Sequence, residues 1–456
     1  MRRFNPLWSC TLLAIGCSHL QAMTLSEAIQ STIESHPQLQ ASQNARLSAN
    51  EEVQVAKGGY LPSVDVLAGY GRKNLDSPTT RGTSGHNTET GTYGTSELRL
   101  RQMLFDGFNT PNEVARTEAV VNSRAYYTQG TAETLALRTV EVYLDVLKRR
   151  EMVTLANNNL QAHLRMNDQI TLRSETGVGR TADSDQAAAR LALAKNNLYT
   201  EQVNLADAET NFLSVTGRKA DQLESPATAK SSMPADISIA RQGILSNNPL
   251  LKSAQADIEA TEKQYESAKS PFYPRFDAEL ATTADNNTDT DNNNELNGHV
   301  NGWRAGVSMT YNIFNGMRDS ARLQSDAYKI NEAMDIRNNA LRELNENLGL
   351  AWNAMENARL QTPEARDYAD YSARVRESYQ QQFTLGQRTL LDLLDSENEL
   401  FTANRRYTEV RYTEEFSMYR VIAATGELLR QQNIVVPAEA VALSDVSNKA
   451  SLPDMQ

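Results

Sequence analysis

The sequence predicts a mainly α-helical chain with a small β part, built on an internal two-fold repeat. Three observations predict it. Gly and Pro together supply only 35 of 456 residues, against roughly 12% in average proteins, which favours long uninterrupted elements. Five short anchors recur in the same order at an offset of 209 to 212 residues. Four segments alternate apolar and polar residues with period two, the signature of two-faced strands.

The anchors set the organisation. Ser35-His36-Pro37-Gln38-Leu39 answers to Asn247-Asn248-Pro249-Leu250-Leu251, and Tyr60-Leu61-Pro62 to Phe272-Tyr273-Pro274. Leu104-Phe105-Asp106-Gly107 answers to Ile313-Phe314-Asn315-Gly316, Gly177–Asp183 to Gly386–Asp392, and Val215-Thr216-Gly217 to Ala424-Thr425-Gly426. A unit of about 210 residues is far longer than a solenoid repeat. The expected division is a leader at 1–22, a first repeat at 23–217, a linker at 218–235, a second repeat at 236–426 and a C-terminal segment at 427–456.

Each element then follows in order. Arg2 and Arg3, the apolar run Leu7–Cys17 and Ala22 before a cut read as a secretory signal. Ala14-Ile15-Gly16-Cys17 offers a competing lipoprotein cut before Cys17. Cleavage after Ala22 removes the only two cysteines and raises the acidic excess from 12 to 14. The mature chain then needs no oxidation for stability. A helical stretch follows in each half, 25–58 and 236–270, closed by a Pro that cannot continue a helix.

The expected hairpins lie at 63–105 and 275–314. Val64, Val66, Ala68 and Tyr70, then Leu98 and Leu100, alternate with Asp65, Glu97, Arg99 and Arg101. Phe276, Ala278 and Leu280, then Trp303, Ala305, Val307, Met309 and Tyr311, alternate with Arg275, Asp277, Glu279 and Arg304. The polar stretches 77–95 and 285–295 read as loops. Next come the longest elements, 112–176 and 319–385, each about 100 Å if helical. Thr362-Pro363-Glu364 predicts a kink or restart in the second, with Thr362 as cap and Pro363 at the first helical position. Return helices carry narrow seams, Leu191, Ala194, Leu198, Leu205, Ala208 and Phe212 with Glu201 among them. The second copy runs Leu400, Ala403, Tyr407, Val410, Glu414, Ser417 and Val421.

Composition excludes several classes. With 57 acids against 45 bases the chain lacks the basic surface of a nucleic-acid binder. No apolar run approaches the roughly 18 residues of a membrane helix. Four two-faced strands instead fit a transmembrane β-barrel, which must close because lipid offers no partner to a free edge. The smallest such barrels have about eight strands. The missing strands must come from further copies: two give a tight barrel, and three give twelve strands around a water-filled lumen. Trp303, Tyr311, Tyr70 and Phe276 would form aromatic girdles. An ordinary sheet packed on helices is the bland alternative.

The order helix, Leu-Pro, strand pair, Leu-Phe-Asp-Gly, long helix, Gly-x-x-x-x-x-Asp turn and helix, twice behind a leader, resembles the TolC-like outer-membrane efflux and secretion channels. The resemblance spans essentially the whole mature chain. It implies a homotrimer: a twelve-stranded outer-membrane β-barrel, four strands per chain, continued by a long periplasmic α-helical coiled-coil barrel. It further implies a periplasmic adaptor (membrane fusion) protein, an inner-membrane transporter of ABC type, and outer-membrane lipid as partners. The pattern is most similar to the branch serving type I secretion of large proteins such as adhesins. Small-molecule efflux is the alternative, and a poreless periplasmic coiled-coil scaffold is the remote one.

The helix-hairpin turns are the candidate site. Phe383-Thr384-Leu385-Gly386-Gln387-Arg388-Thr389-Leu390-Leu391-Asp392-Leu393-Leu394-Asp395 gathers a cation and two carboxylates around a tight turn, and Asp392 and Asp395 share a helix face. Thr181 or Thr389 as N-cap with an acid following is the purely structural reading. The resemblance assigns Phe383 to an aromatic gate position, Arg388 to the gate arginine and Asp183 to its acidic partner. By the same match Asp392 and Asp395 form acidic rings, and Gly177, Val178, Gly386 and Gln387 stand where adaptors dock.

Catalysis finds little support, and no cofactor or metal is expected. The five histidines (His19, His36, His86, His163, His299) show no paired-ligand spacing. Gly177-Val178-Gly179 lacks the third glycine and preceding strand of a dinucleotide fingerprint. Asp285–Glu295 has the oxygens of a calcium loop but not its central Gly, so a solvated loop is the reading there.

Overall fold

A computed structural model describes residues 22–76, 88–176, 180–289 and 298–445. The expected leader up to Gln21, both cysteines and the adaptor-docking residues Gly177 and Val178 lie outside them.

Helices α1 (Leu25–Ser35) and α2 (Pro37–Gly58) precede strands β1 (Ser63–Leu75) and β2 (Glu89–Phe105). Helices α3 (Asn109–Glu175) and α4 (Thr181–Thr216) follow. The order then recurs: α5 (Ile237–Asn247), α6 (Pro249–Ser267), β3 (Arg275–Asp289), β4 (Gly298–Thr310), α7 (Arg318–Thr384) and α8 (Leu390–Ala424), with a short α9 (Leu428–Gln431). Helices α3 and α7 each have 67 residues, about 100 Å at 1.5 Å rise.

Three expectations are corrected. Each early helical stretch is two helices, split at His36 and Asn248, because the residue before Pro is pushed out of the α region. Both residues cap the following helix, His36 to Gln38 N–H at 3.2 Å and Asn248 to Leu250 N–H at 3.0 Å. The strands also run into segments read as loops. Gly91–Thr95 pairs with Asp285–Asp289, so backbone pairing overrides their polar, loop-like composition. Finally, α7 passes through Pro363 without a restart. Thr362 is no cap: its hydroxyl faces the Ala358 carbonyl at 2.8 Å and the Glu414 carboxylate at 2.6 Å. Packing on α8 holds the helix where its local sequence would break it.

The four strands form one antiparallel sheet in the order β1-β2-β3-β4. Pairing places Val64, Val66 and Tyr70 on one face with Leu98, Leu100, Leu280, Trp303 and Val307. The other face carries charges in register. Arg304 bonds Glu97 at 2.7 Å and Glu279 at 2.8 Å, Arg99 bonds Glu97 at 2.8 Å, and Arg275 bonds Asp277 at 2.8 Å. The β2–β3 pairing joins the two halves, and among the described residues β1 and β4 have open outer edges.

The largest core lies midway along the helices, where Leu25, Ile29 and Leu39 meet Ala136, Val140 and Tyr143 of α3, Phe212 of α4, and Tyr419 and Ile422 of α8. The return-helix seams fall where the spacing placed them: Ala194, Leu198, Ala208, Phe212, Ala403, Val410, Ser417 and Val421 are buried. Buried Glu201 is paired with Arg405 at 3.2 Å.

At the edge of the main core Glu133 is buried and accepts the N–H groups of Leu428 (3.1 Å) and Leu429 (3.3 Å) at the start of α9. Burial raises its pKa to about 7 despite these bonds. A carboxyl raised in the fold opposes folding once ionised. That cost is full above pH 7 and fades as the pH falls toward the unfolded value near 4.5. It amounts to about 3 kcal/mol. The Glu133→Gln variant is therefore expected to show a flatter stability profile between pH 5 and 8 than the unmodified protein, measured by thermal unfolding in detergent.

Candidate functional site

The two long hairpins end in tips with different chemistry. Between α7 and α8 the turn is fully built from backbone bonds. Gly386, at φ +73°, donates its N–H to the Phe383 carbonyl at 3.0 Å, and Gln387 donates to the Gln382 carbonyl at 2.9 Å. This is a Schellman closure, which needs a residue that tolerates the left-handed region. Thr389 then caps α8. Its hydroxyl accepts from Asp392 N–H at 3.3 Å while the Asp392 carboxylate accepts from Thr389 N–H at 3.2 Å. Bonds from the Thr389 hydroxyl and then its backbone hold the Asp392 carboxyl below the ordinary range. At the first tip Arg180, not Thr181, occupies the cap position, and Thr181 is the first helical residue.

The predicted residues separate into three environments. Arg388 stacks 4.3 Å from the Tyr379 ring centroid, donates to Gln382 at 3.0 Å, and lies 3.9 Å from Asp392. All of these are within its own hairpin. Asp183 sits half-buried in the first turn of α4, and the chain does not bring it to Arg388. Asp395 reaches the other hairpin, 3.1 Å from Arg190 of α4. Asp392 and Asp395 thus share a helix face but not a partner.

Phe383 is 7% exposed. It packs among Ala162, Met166, Ile170, Ala187, Leu390, Leu393 and Leu394, under the Arg173 guanidinium at 4.9 Å. Gly386 and Gln387 are exposed at the turn.

Sequence reasoning missed Arg173, Arg190 and Tyr379. Arg190 follows Asp183 by one heptad, a spacing that marks the same helix face. Tyr379 precedes Phe383 by one turn. Buried His163 lies in the same layer, its pKa lowered by burial and then by Arg190. Below it, Arg376 pairs with buried Glu397 at 2.9 Å. The hairpins are tied at the tip by the shared apolar cluster around Phe383 and by two polar links, Arg190–Asp395 and Arg173–Phe383.

No helix among the described residues is long and apolar enough to cross a membrane, and no metal-holding cluster occurs among them.

A family model described as outer membrane efflux protein matches residues 28–218 and 240–427. The chain is 25% identical to the outer membrane efflux protein BepC of Brucella suis, over 90% of this chain and 86% of the relative. It is 22% identical to the proteases secretion protein PrtF of Dickeya chrysanthemi, over 99% and 98%. Among solved structures, the Campylobacter jejuni CmeC outer membrane channel superposes with a TM-score of 0.77 at 16% identity, covering 89% of this chain and 86% of that one. That likeness shows the fold.

Proposed function

Because this chain belongs to the outer membrane efflux protein family, the TolC-like channels, we propose that it is the outer-membrane exit duct of a tripartite export system, working as a homotrimer. The single observation that carries this reading is the sheet. It has one apolar face, one charged face and two open edges. Trp303 is 79% and Tyr70 84% exposed, which suits lipid and no aqueous surface. Head-to-tail pairing of β4 on one copy with β1 on the next is a heterologous contact that closes into a ring. Two copies make about eight strands, whose interior side chains fill. Three leave a lumen lined by the arginine–carboxylate belt.

The helices continue that ring through the periplasm to the tips. There the Arg190–Asp395 and Arg173–Phe383 links hold the hairpins of one chain together. Arg388 and Asp183 are left to meet between chains, and Asp392 and Asp395 form rings around the axis. Phe383 serves as the packed anchor of the closed tip. The exposed turn at Gly386 and Gln387, with Gly177 and Val178 on the other hairpin, docks a periplasmic adaptor that recruits an ABC-type inner-membrane transporter. Such a duct performs no reaction and supplies no energy.

The cargo assigned is a large polypeptide exported by type I secretion, supported by the near full-length likeness to the protease secretion relative. Small-molecule efflux is the second reading, favoured by the family description and the BepC likeness. Deleting the gene separates them: loss of a large protein from the medium supports the first, and raised drug sensitivity with an unchanged secretome supports the second. The architecture is checked by native mass measurement in detergent, where a heat-dissociable trimer is expected. A monomer with intact strands would overturn the ring.

A further inference from the structure

The two halves end their hairpins in the same backbone turn but in opposite surroundings. Gly107 and Phe108 have φ +70° and +65°, and Gly316 and Met317 have +59° and +62°. A Cβ on Gly107 would meet the Ser270 carbonyl oxygen at 2.5 Å, whereas one on Gly316 would meet nothing within 4 Å. Around Gly107 the halves are packed. Phe108 makes an edge contact with Tyr273 at 5.8 Å, Phe105 lies 6.5 Å from Phe276, and Ser267 donates to Asn109 at 2.7 Å. Shifting each partner by its anchor offset names the missing contacts: Gly316 with Gly58, Met317 with Leu61, Phe314 with Val64, and Arg318 with Val55. Met317, Leu61, Phe314 and Val55 are 67–74% exposed, while Ser267, the counterpart of Val55, is 7% exposed.

We propose that the β2–β3 junction within one chain is the template for the β4–β1 junction between copies, and that it fixes the register there. This rests on the ring proposed above and adds its residue pairs. In the chain Leu98, Leu100 and Phe105 lie opposite Thr282, Leu280 and Phe276. The transferred pairs are Val307 with Tyr70, Met309 with Ala68 and Phe314 with Val64 of the next copy. The first two pairs lie on the apolar face by the strands' own alternation, and Phe314, beyond the end of β4, is placed by the register shift at its counterpart Phe105. A slip of one residue would set apolar against charged positions along the whole edge, and a slip of two, which restores the faces, would pull Met317 and Phe314 away from Leu61 and Val64 at the rim. The occupant of both open edges is thus a second copy of this chain, held at the barrel rim by Met317 and Phe314 against Leu61 and Val64.

The test is oxidation of cysteine pairs in the full-length protein in outer-membrane fractions, since native cysteines occur only at positions 10 and 17. Met309→Cys with Ala68→Cys, and the adjacent Thr310→Cys with Leu67→Cys, are both made, because antiparallel pairs alternate between wide and close spacing and one of the two has disulfide geometry. At least one pair should convert most of the chain into covalent dimers and trimers on a non-reducing gel. Each single variant, and the off-register pair Met309→Cys with Val64→Cys, about 13 Å away, should not. A native trimer that cross-links only off register, or not at all with both in-register pairs, overturns the register and leaves the ring standing. A monomer overturns both.

Discussion

Replacing Arg388 by Ser, or Asp183 by Ala, is expected to raise the resting conductance of the assembled channel in planar bilayers without preventing assembly. Arg388 stacks on Tyr379 and bonds Gln382 inside its own hairpin, so its variant loses the tip's local order as well as its charge. An exposed ion pair contributes at most about 1 kcal/mol. One link therefore shifts the closed–open balance by up to about fivefold, and three symmetry copies by up to roughly a hundredfold. Replacing Asp392 and Asp395 together by Asn acts differently. It removes the counter-charges of Arg388 and Arg190 and is expected to abolish cation preference and block by multivalent cations. If the Arg388 variant conducts like the unmodified protein and the double variant keeps its selectivity, the turn is a capped hairpin and the constriction lies elsewhere.

The largest stability effect is expected at Gly107. Its φ of +70° costs an L-residue about 1–2 kcal/mol, more when the side chain is β-branched. The Ser270 carbonyl 2.5 Å from the added Cβ is backbone and cannot swing aside, which adds roughly 1–3 kcal/mol of overpacking. Gly107→Val should therefore lose about 3 kcal/mol or more and fail to reach the outer membrane. Gly130 is a contrast. Its added Cβ would meet Leu250 Cγ at 2.8 Å and Cδ2 closer still, atoms of a partly exposed side chain rather than of backbone, so the cost should be smaller. Gly316→Val carries the same kind of backbone penalty at φ +59° but meets open space in the single chain, so it should cost the fold less than Gly107→Val and lower the trimer fraction as well. Detergent-extracted protein examined by circular dichroism and native mass distinguishes these outcomes.

How far the sequence led depended on the range of the forces involved. The four strands and two 67-residue helices were legible because alternation and the scarcity of breakers are local and span many residues. Thr389 and Asp392 were legible as a cap for the same reason. Pro363 misled because Thr362 is held by Glu414, more than 50 residues away. The strand ends at Gly91–Thr95 and Asp285–Asp289 carry loop-like residues and are held by pairing across nearly 200 residues. At the tip, the residues that tie the hairpins have partners over 200 residues distant, Arg190 to Asp395 and Arg173 to Phe383. No local pattern announces them.

The open edges of β1 and β4 have a genetic consequence. In a ring proposed to close only by β4 meeting β1 three times, a subunit with a spoiled edge does not merely drop out. A proline in the middle of β4 removes a ladder donor at the seam while leaving β1 of the same subunit able to join a healthy neighbour. Such a subunit enters a ring and prevents its completion. In a cell making spoiled and sound copies equally, about one ring in eight would contain three sound seams. Edge mutations should therefore be dominant, whereas mutations that prevent a subunit from folding at all should be recessive.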